Sequence, residues 1–540
     1  MAKTHIASDE TLKEGLGDIA MSIQLLANTK RPVFDDDSGR YTDASVAAMI
    51  ESGCDGLTYG VEFSTGKAVE GTKLGENAKY DAPTPYTFAK AGNDPYLGIG
   101  PFRHWEVNGF YDAVGKPHVT AINGDGRFAR DGSNGDVWIM TPTLYMREVE
   151  SESTIQRWVS DSPTTGYTIE PDGLTDRKHR RQFILRAKYP LVTDDAGNAA
   201  SISKRPVKRF ISHDSVITLT RKKGAQYSGK SRYDHMYVLW MFDLKYATKN
   251  SQSVFAGCTG HSEQPAITVA GENVNTVTVA ASSVSAWPVG SSVMVGSVKT
   301  ANPDRGAANA RDIVDAARIV SKSVDGDNCV LTLDCGPITT EVGMIVSTCP
   351  WHTGACDGLA GDGSPTDPKS GREPFTIQGI ELGHGMYEIV EDVAYKNEGS
   401  GWKVYASKST ADDKPGIIPA NAVVVGDMPG DATDGWKYAL YDKTVNGVMV
   451  HVGSGASDTT GTCDGFYKNA DTVTGTRECL TLGRLRYWGG AGLRCVYGNN
   501  DLANARWNYG SRQSGTTLST SFSIRDYPPS FWDETGIGLA

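Results

Sequence analysis

The stretch Leu485–Arg512 reads LRYWGGAGLRCVYGNNDLANARWNYGSR, and more than any other stretch it decides which fold to expect. Neither the apolar period of a helix nor a long strand alternation runs through it, which predicts irregular backbone held by a small core of Leu493, Val496 and Trp507. Its tyrosines and tryptophans supply contact area at low entropic cost, and its asparagines supply adaptable hydrogen bonds. The composition suits a binding surface built from loops, although a glycine-rich hairpin closing a β-rich domain would use the same residues.

A second stretch and the end of the first carry a family resemblance. Ile377–Val393 reads IQGIELGHGMYEIVEDV, Gly492–Cys495 reads GLRC and Arg506–Arg512 reads RWNYGSR. Together they resemble the C-type-lectin-like fold of the formylglycine-generating-enzyme type. The resemblance is closer to phage tail-fibre and other virion proteins, including the variable proteins diversified by retroelements, than to the enzymes. Gly135–Arg147 and Trp158–Pro171 are similar to segments of the same phage proteins.

The resemblance implies the α+β fold class, with a C-type-lectin-like domain, an inserted small all-β domain and an N-terminal helical attachment segment. Residues 264–370 read as β-branched strands joined by turns and lie between two lectin-like pieces, which indicates the insertion. The expected divisions are residues 1–80 for the helix and the attachment or trimerisation region, 81–262 for the first part of the lectin-like domain, 263–374 for an inserted β-barrel or sandwich, and 375–540 for the second part with the binding face.

Composition excludes several classes of protein. The 540 residues are too many for one ordinary core, and a net charge of −11, from 53 basic and 64 acidic residues, argues against nucleic acid as a general partner. No stretch has the length and apolarity of a transmembrane helix, and the N-terminus lacks the pattern of a secretory signal, so we expect no membrane insertion. The nine cysteines form no CxxC pattern and are expected to be reduced, with local Cys329–Cys335 or Cys349–Cys356 disulfides as the alternative.

Two helices are predicted. Ser8–Asn28 opens with a capping signal and continues with apolar residues at a helical period. This helix either packs on its own protein or docks into an assembly. Tyr233–Ala247 places aromatic and apolar residues at helical spacing, which is typical of a core helix. Between them, Val137–Met146 reads as one strong strand, and the acidic Asn123–Asp136 reads as turns rather than as a calcium loop.

The sequence does not indicate catalysis. The enzymes that the GLRC segment resembles use two nearby cysteines for redox chemistry, but only Cys495 matches, since Gly490 stands five residues earlier. Met386–Glu388 keeps the tryptophan-rich triplet of that family only in part. Glu388 paired with Glu391 or Asp392 would suggest glycan hydrolysis, but we expect these carboxylates to be solvated charges. No HExxH, GxSxG or phosphate loop occurs, so we expect no enzyme, no cofactor and no metal site.

The sequence therefore predicts a phage virion structural protein, in a tail fibre, head fibre or baseplate, that binds a host-cell-surface receptor, protein or glycan, through its C-terminal face. Other virion proteins are expected partners, a homotrimer is the expected assembly, and the virion, assembled in the host cytoplasm, is the expected location. The rival interpretations are a virion scaffold or decoration protein without receptor function and a formylglycine-generating or glycan-cleaving enzyme.

Polar and aromatic side chains of the C-terminal stretch are the predicted receptor contacts, because residues projecting from loops can be exchanged without disturbing a core. They are Tyr487, Arg494, Tyr497, Asn499, Asn500, Asp501, Asn504, Arg506, Asn508 and Tyr509. Structural roles are predicted for three other residues: Trp488 and Trp507 through burial, and Arg512 through a buried or interfacial ion pair.

Overall fold

The computed structural model describes residues 31–174, 181–407, 410, 413–416 and 422–515. The chain is mostly β with few helices, at 39% strand and 13% helix, a more strongly β composition than the expected α+β class. The α-helices in the described ranges are α1 Asp43–Glu51, α2 His213–Thr220, α3 Arg232–Tyr246 and α4 Ala281–Val284. None of these helices is long and apolar enough to cross a membrane. The helix predicted over Ser8–Asn28 lies outside the described residues.

The largest sheet is built by the C-terminal part of the chain. Its strands are β25 Tyr387–Asn397, β26 Lys403–Ala406, β27 Val423–Asp427, β28 Gly435–Tyr438, β31 Gly465–Lys468, β32 Gly475–Leu482, β33 Gly492–Tyr497 and β34 Tyr509–Gly510. The order is β27-β26-β25-β32-β33-β31-β28, and β34 pairs in parallel with β25. Nearly every side chain of β25 and β33 is buried, which shows that both faces of these strands are covered.

Two smaller sheets come from the first part of the chain. Their strands are β3 Tyr59–Ser64, β4 Thr72–Gly75, β5 Trp105–Tyr111, β6 Pro117–Ile122, β7 Asp136–Pro142, β8 Tyr145–Glu150, β9 Thr154–Ser160, β10 Thr168–Ile169 and β11 Phe183–Ala187. The five-stranded sheet has the order β10-β8-β9-β3-β4, and the four-stranded sheet has the order β11-β7-β5-β6. Because β3 and β4 belong to the five-stranded sheet, the predicted boundary at residue 80 falls too late, and this sheet starts at Tyr59.

The strand predicted over Val137–Met146 is in fact two strands in different sheets. Strand β7 ends at Pro142 in the four-stranded sheet, and β8 begins at Tyr145 in the five-stranded sheet. Proline has no N–H to donate to a ladder, so Pro142 suits the end of a strand. The chain then crosses from one sheet to the other through Thr143 and Leu144.

Helix α3 lies at the centre of the main core. Its N-terminus is a capping box, in which the Ser231 hydroxyl accepts from the Asp234 N–H and the Asp234 carboxylate accepts from the Ser231 N–H. Ala247, at a φ of 50°, ends the helix in the left-handed conformation. Apolar side chains of α3 join the core cluster that includes residues of β3, β9, β25 and β30 Val448–Val452. The helix predicted over Tyr233–Ala247 and its place in the core are confirmed.

Residues 263–349 form a barrel with its own core. The strands are β15 Ile267–Val269, β17 Thr276–Ala280, β18 Ser292–Gly296, β19 Val314–Asp325, β20 Asn328–Leu333 and β22 Ile345–Cys349, in the order β15-β17-β20-β19-β18-β22. The Ile267 N–H donates to the Met344 carbonyl and the Val346 N–H donates to the Pro265 carbonyl, so the sheet closes on itself. Its apolar side chains cluster separately from the main core. Of the two expected architectures, the insertion is therefore a barrel rather than a sandwich.

Six two-stranded ribbons complete the fold, and one of them, Tyr227–Gly229 with Gln513–Gly515, joins the C-terminal segment to the first part of the chain. They pair β1 Phe34–Asp35 with β2 Arg40–Tyr41, β12 Val192–Thr193 with β13 Ala199–Ala200, β14 Tyr227–Gly229 with β35 Gln513–Gly515, β16 Gly271–Val274 with β21 Ile338–Thr340, β23 Phe375–Ile377 with β24 Ile380–Leu382, and β29 Tyr441–Val445 with β30. Single bridges also join Pro190 to Arg512 and Ile211 to Arg506. These pairings hold the loops between β33 and β35 in place.

Candidate functional site

Four of the predicted receptor contacts are buried. Their exposed fractions lie between 0 and 7%, and they are Arg494, Asn500, Asn508 and Tyr509. The prediction that these side chains project from loops is wrong, because β33 is covered on both faces and the chain after it returns to pair with β25. Trp507 and Arg512 are buried, in keeping with the structural roles predicted for them. The side chain of Trp488 lies outside the described part of the chain.

Arg494 belongs to a buried ionic cluster with Arg157, Asp243 and Asp442. Its Nε donates to Asp442 Oδ1 at 2.6 Å, and its Nη2 pairs with Asp243. Arg157 pairs with the second oxygen of each of these carboxylates. Burial alone would raise the pKa of Asp442, but the two guanidiniums hold it below its usual value. Arg494 is therefore a structural residue that ties β33 to α3.

Arg512 closes a second buried cluster. Its Nε and Nη2 donate to the Glu388 carboxylate at 2.9 and 2.7 Å, and Lys230 Nζ donates to the same carboxylate at 2.8 Å. Against the effect of burial, Arg512 and Lys230 lower the pKa of Glu388 to about 2. Glu391 is also buried and pairs with Arg221. The expectation that these glutamates are solvated is wrong, because both faces of β25 are covered and a buried charge requires a partner.

Half-buried aromatic rings from separate segments meet beside the C-terminal stretch. Trp436 of β28, Tyr467 of β31, Tyr487 between β32 and β33, and Tyr497 at the end of β33 form a surface that we call the aromatic face. The Trp436 ring centroid lies 5.1 Å from that of Tyr487 and 5.7 Å from that of Tyr497. The Tyr467 centroid lies 5.0 Å from that of Tyr497. The four rings therefore form one continuous patch.

The base and the centre of the aromatic face carry polar groups. The Tyr387 ring stacks against Tyr497 with 5.1 Å between centroids, and its buried hydroxyl has no hydrogen-bond partner among the described residues. Burial raises the pKa of Tyr387, so the hydroxyl stays protonated. The Arg484 guanidinium lies 4.6 Å over the Tyr487 ring and donates to the Tyr487 hydroxyl at 2.8 Å. The face thus offers ring surfaces and a cation, while the unpartnered Tyr387 hydroxyl is buried.

The other accessible residues among the predicted contacts follow β33. Asn499 Nδ2 donates to the Tyr497 hydroxyl at 3.0 Å. Asp501 and Arg506 are exposed, and Asn504 is half-buried. Of the predicted contacts, the structure leaves a set wholly or partly accessible: Tyr487, Tyr497, Asn499, Asp501, Asn504 and Arg506. These residues keep the composition expected of a binding surface.

Sequence reasoning missed several residues of the aromatic face. Trp436, Tyr467 and Tyr387 come from other strands of the sheet, and no local pattern shows which of their neighbours they meet. Arg484 lies one residue before the quoted stretch and has no signature of its own. The only available signal is the aromatic content of the strands themselves, which is also typical of core strands.

Cys495 is the residue of this region that the GLRC resemblance connects with thiol chemistry. Cys495 is fully buried, and burial raises the pKa of its thiol well above the usual value, so it behaves as a small apolar group. All nine cysteines fall within the described ranges and are free thiols. In the same ranges, no group of three or more histidine, cysteine, aspartate or glutamate side chains is arranged to hold a metal ion.

Comparison with known proteins adds no relative: no protein-family model matches the chain, and no curated protein matches it at a significant level. A functional assignment therefore depends on the sequence resemblance and on the geometry of the aromatic face.

Proposed function

We propose that the chain is a phage virion structural protein whose C-type-lectin-like domain binds a host-cell-surface receptor through the aromatic face. The observation that carries this proposal is the convergence of four half-buried rings and Arg484 on one patch. Tryptophan, tyrosine and arginine are the residues most enriched at binding hot spots. Trp436, Tyr467 and Tyr497 are held on paired strands, so their rings lose little freedom when a partner binds, which favours affinity.

The C-type-lectin-like assignment is supported by the placement of the segments that carry the resemblance. Ile377–Val393 includes most of the hairpin β23–β24 and the start of β25, and Arg506–Arg512 includes β34. The two segments lie side by side, because β25 and β34 pair in parallel with Tyr387 opposite Tyr509. Their charged residues also meet, since Arg512 binds Glu388. Assembly as a homotrimer with other virion proteins belongs to the same proposal.

The test compares binding of the purified full chain and of a Tyr487→Ser, Tyr497→Ser double variant to candidate host cells. The test uses point changes because the C-terminal loops also contain the buried Asn500, Trp507 and Tyr509. We expect the double variant to lose cell binding while its circular dichroism spectrum and its mass in solution stay as in the parent chain. Its thermal stability is expected to fall, because two half-buried rings that pack on the core are removed. Tyr405→Ser, a half-buried tyrosine on β26 towards the other edge of the same sheet, is the matched control and should bind normally.

Cell binding that is indifferent to the double variant would exclude the aromatic face as the receptor site. Failure of the intact chain to bind any candidate host would favour the scaffold or decoration interpretation, in which the face contacts a neighbouring subunit. Chemical labelling of the aromatic face on intact particles then distinguishes the receptor interpretation from the scaffold interpretation, since a receptor-binding face must be reachable from outside the virion. A mass of three chains in solution is expected, and a monomeric mass would remove the trimer from the proposal.

A further inference from the structure

A cleft of about 230 Å³ lies on the four-stranded sheet and shares no lining residue with the aromatic face. Several chain segments converge on it: β5 and β6, the loop leading into β7, the β12–β13 ribbon, and the segment that joins α2 to β14. Phe110, 38% exposed, and the buried Ile202 supply apolar surface. Asn134 and Asp194 supply half-buried polar side chains. The cleft therefore combines apolar and polar lining, as small-molecule sites do.

A β-bulge directs one side chain of the cleft. In the pairing of β5 with β6, Asn108 stands opposite Ala121 and Gly109 stands opposite Val119, which leaves Thr120 as the extra residue. Bulges re-aim side chains and are frequent beside binding sites. The Thr120 hydroxyl oxygen is buried and has no hydrogen-bond partner among the described residues, and Thr120 is one of the residues that line the cleft. A buried hydroxyl without a partner is costly to a fold, and a ligand hydroxyl would satisfy it.

The charged groups of the cleft are held in a fixed arrangement. Asp136, 7% exposed, accepts from the Ser201 N–H at 2.9 Å and from Gln513 Nε2 at 2.8 Å, and it also pairs with Lys223. Lys223 Nζ donates further to Gln513 Oε1 at 3.1 Å. Asp194 adds a second carboxylate. The Asp136 and Lys223 side chains are thus already positioned by bonds within the protein.

These features select the chemistry of the ligand. The carboxylates of Asp136 and Asp194 disfavour an anion. Both carboxylates are already engaged, because Lys223 pairs with Asp136 and the N–H groups of Ala196 and Asn198 donate to Asp194, which leaves neither free to hold a cation. A purely apolar ligand would leave the Thr120 hydroxyl unsatisfied. The volume is below the roughly 300–1,000 Å³ typical of drug-sized ligands. We propose that this cleft binds a single neutral sugar ring, whose hydroxyls reach Thr120, Asp136 and Lys223 and whose apolar face packs on Phe110.

The test is ligand-observed NMR of the full chain with free neutral hexoses, followed by titration of any hexose that binds. Thr120→Val removes only the hydroxyl, and we expect affinity to fall about tenfold while stability is unchanged or raised, since no protein bond is lost. Phe110→Ala is expected to weaken binding to a similar degree. Thr332→Val, at a half-buried threonine on β20 of the barrel, is the matched control and should bind like the parent chain.

The affinity for short oligosaccharides of the same sugar distinguishes a surface glycan from free sugar as the natural ligand. If the cleft binds the end of a surface glycan, the oligosaccharides bind at least as tightly as the free hexose. If the cleft binds free sugar, the oligosaccharides do not bind. The Tyr487→Ser, Tyr497→Ser variant should keep hexose binding, because the aromatic face is a separate site. The proposal is overturned if no hexose binds the intact chain, or if hexose binding is the same in the Thr120→Val and Phe110→Ala variants as in the parent chain.

Discussion

Arg494 and Arg506 belong to the same C-terminal stretch, yet only Arg506 reaches solvent. Removing a partner from a buried ionic cluster leaves the others uncompensated, so we expect Arg494→Met to lower the free energy of unfolding by ~3–5 kcal/mol. Arg506→Ala should change it by less than ~0.5 kcal/mol, because the side chain is exposed. Urea denaturation of the full chain measures both. An unchanged midpoint for Arg494→Met would show that the cluster does not hold β33 to α3.

The ionisation of Asp464 leads to a second prediction for a single residue. Its Oδ2 accepts from Ser251 Oγ at 2.9 Å and from the Arg494 N–H at 2.8 Å, while Oδ1 has no partner among the described residues. Burial raises the pKa of Asp464 from 3.8 to about 7. The folded state therefore retains a proton that the unfolded state loses between about pH 4 and pH 7, so this residue lowers stability progressively as the pH rises through that window.

We expect Asp464→Asn to remove this pH dependence. The stability of the variant relative to the parent should increase by ~2–4 kcal/mol from pH 4 to pH 8 and then level off. Urea denaturation across this pH range measures the difference. A constant difference at every pH would mean that Asp464 keeps its ordinary pKa in the folded protein.

How far single residues could be predicted depends on where their partners lie. Burial of Trp507 and Arg512 follows from residue type within the terminal segment. Burial of Arg494 does not, because its carboxylate partners, Asp243 and Asp442, come from distant parts of the chain. An arginine between Leu493 and Cys495 has the local appearance of a surface residue until those partners are known.

Among the elements, helix α3 offers a direct test of local stabilisation. Ser231→Ala removes the hydroxyl that accepts from the Asp234 N–H, and we expect a loss of ~1 kcal/mol in the free energy of unfolding. Ser282→Ala, at an exposed serine in the short helix α4, should have no measurable effect. Chemical denaturation compares the two variants with the parent chain. Equal stabilities would show that α3 is held by its packing alone.

A helix or strand could be predicted where the residues that stabilise it are neighbours in the chain. The apolar stripe of α3 and its capping residues lie within one stretch, and the structure forms that helix. The transition from β7 to β8 was missed, because an apolar run shows strand propensity but not which sheet each part joins. Pro142 was the local sign of the break.

For the whole molecule, the separate core of the barrel predicts independent folding. Expressed alone, residues 263–349 should give a β-type circular dichroism spectrum and one cooperative thermal transition, because β22 closes the sheet and the apolar cluster is internal. Residues 263–340, which lack β22, cannot close the sheet and should not fold. A disordered spectrum for residues 263–349 would show that the barrel depends on the main body.

For the whole molecule, the sequence predicted a separate set of β-strands within residues 263–374, but it predicted neither the closure of that sheet nor the start of the five-stranded sheet at Tyr59. The change to β-branched strands is visible along the chain, whereas the bonds between the first and last strands of the barrel join residues far apart. The hairpin of β3 and β4 joins the five-stranded sheet because β3 pairs with β9. No local sequence pattern predicts that pairing, since the two strands are far apart in the chain.

The ends of the barrel have a practical consequence. Thr348 donates its N–H to the carbonyl of Glu263 at 3.1 Å, so the chain leaves the body and returns to it at nearly one point. A module attached in this way can be exchanged as a cassette without altering the spacing of the flanking strands. A fluorescent protein with neighbouring termini could occupy the same position as a reporter.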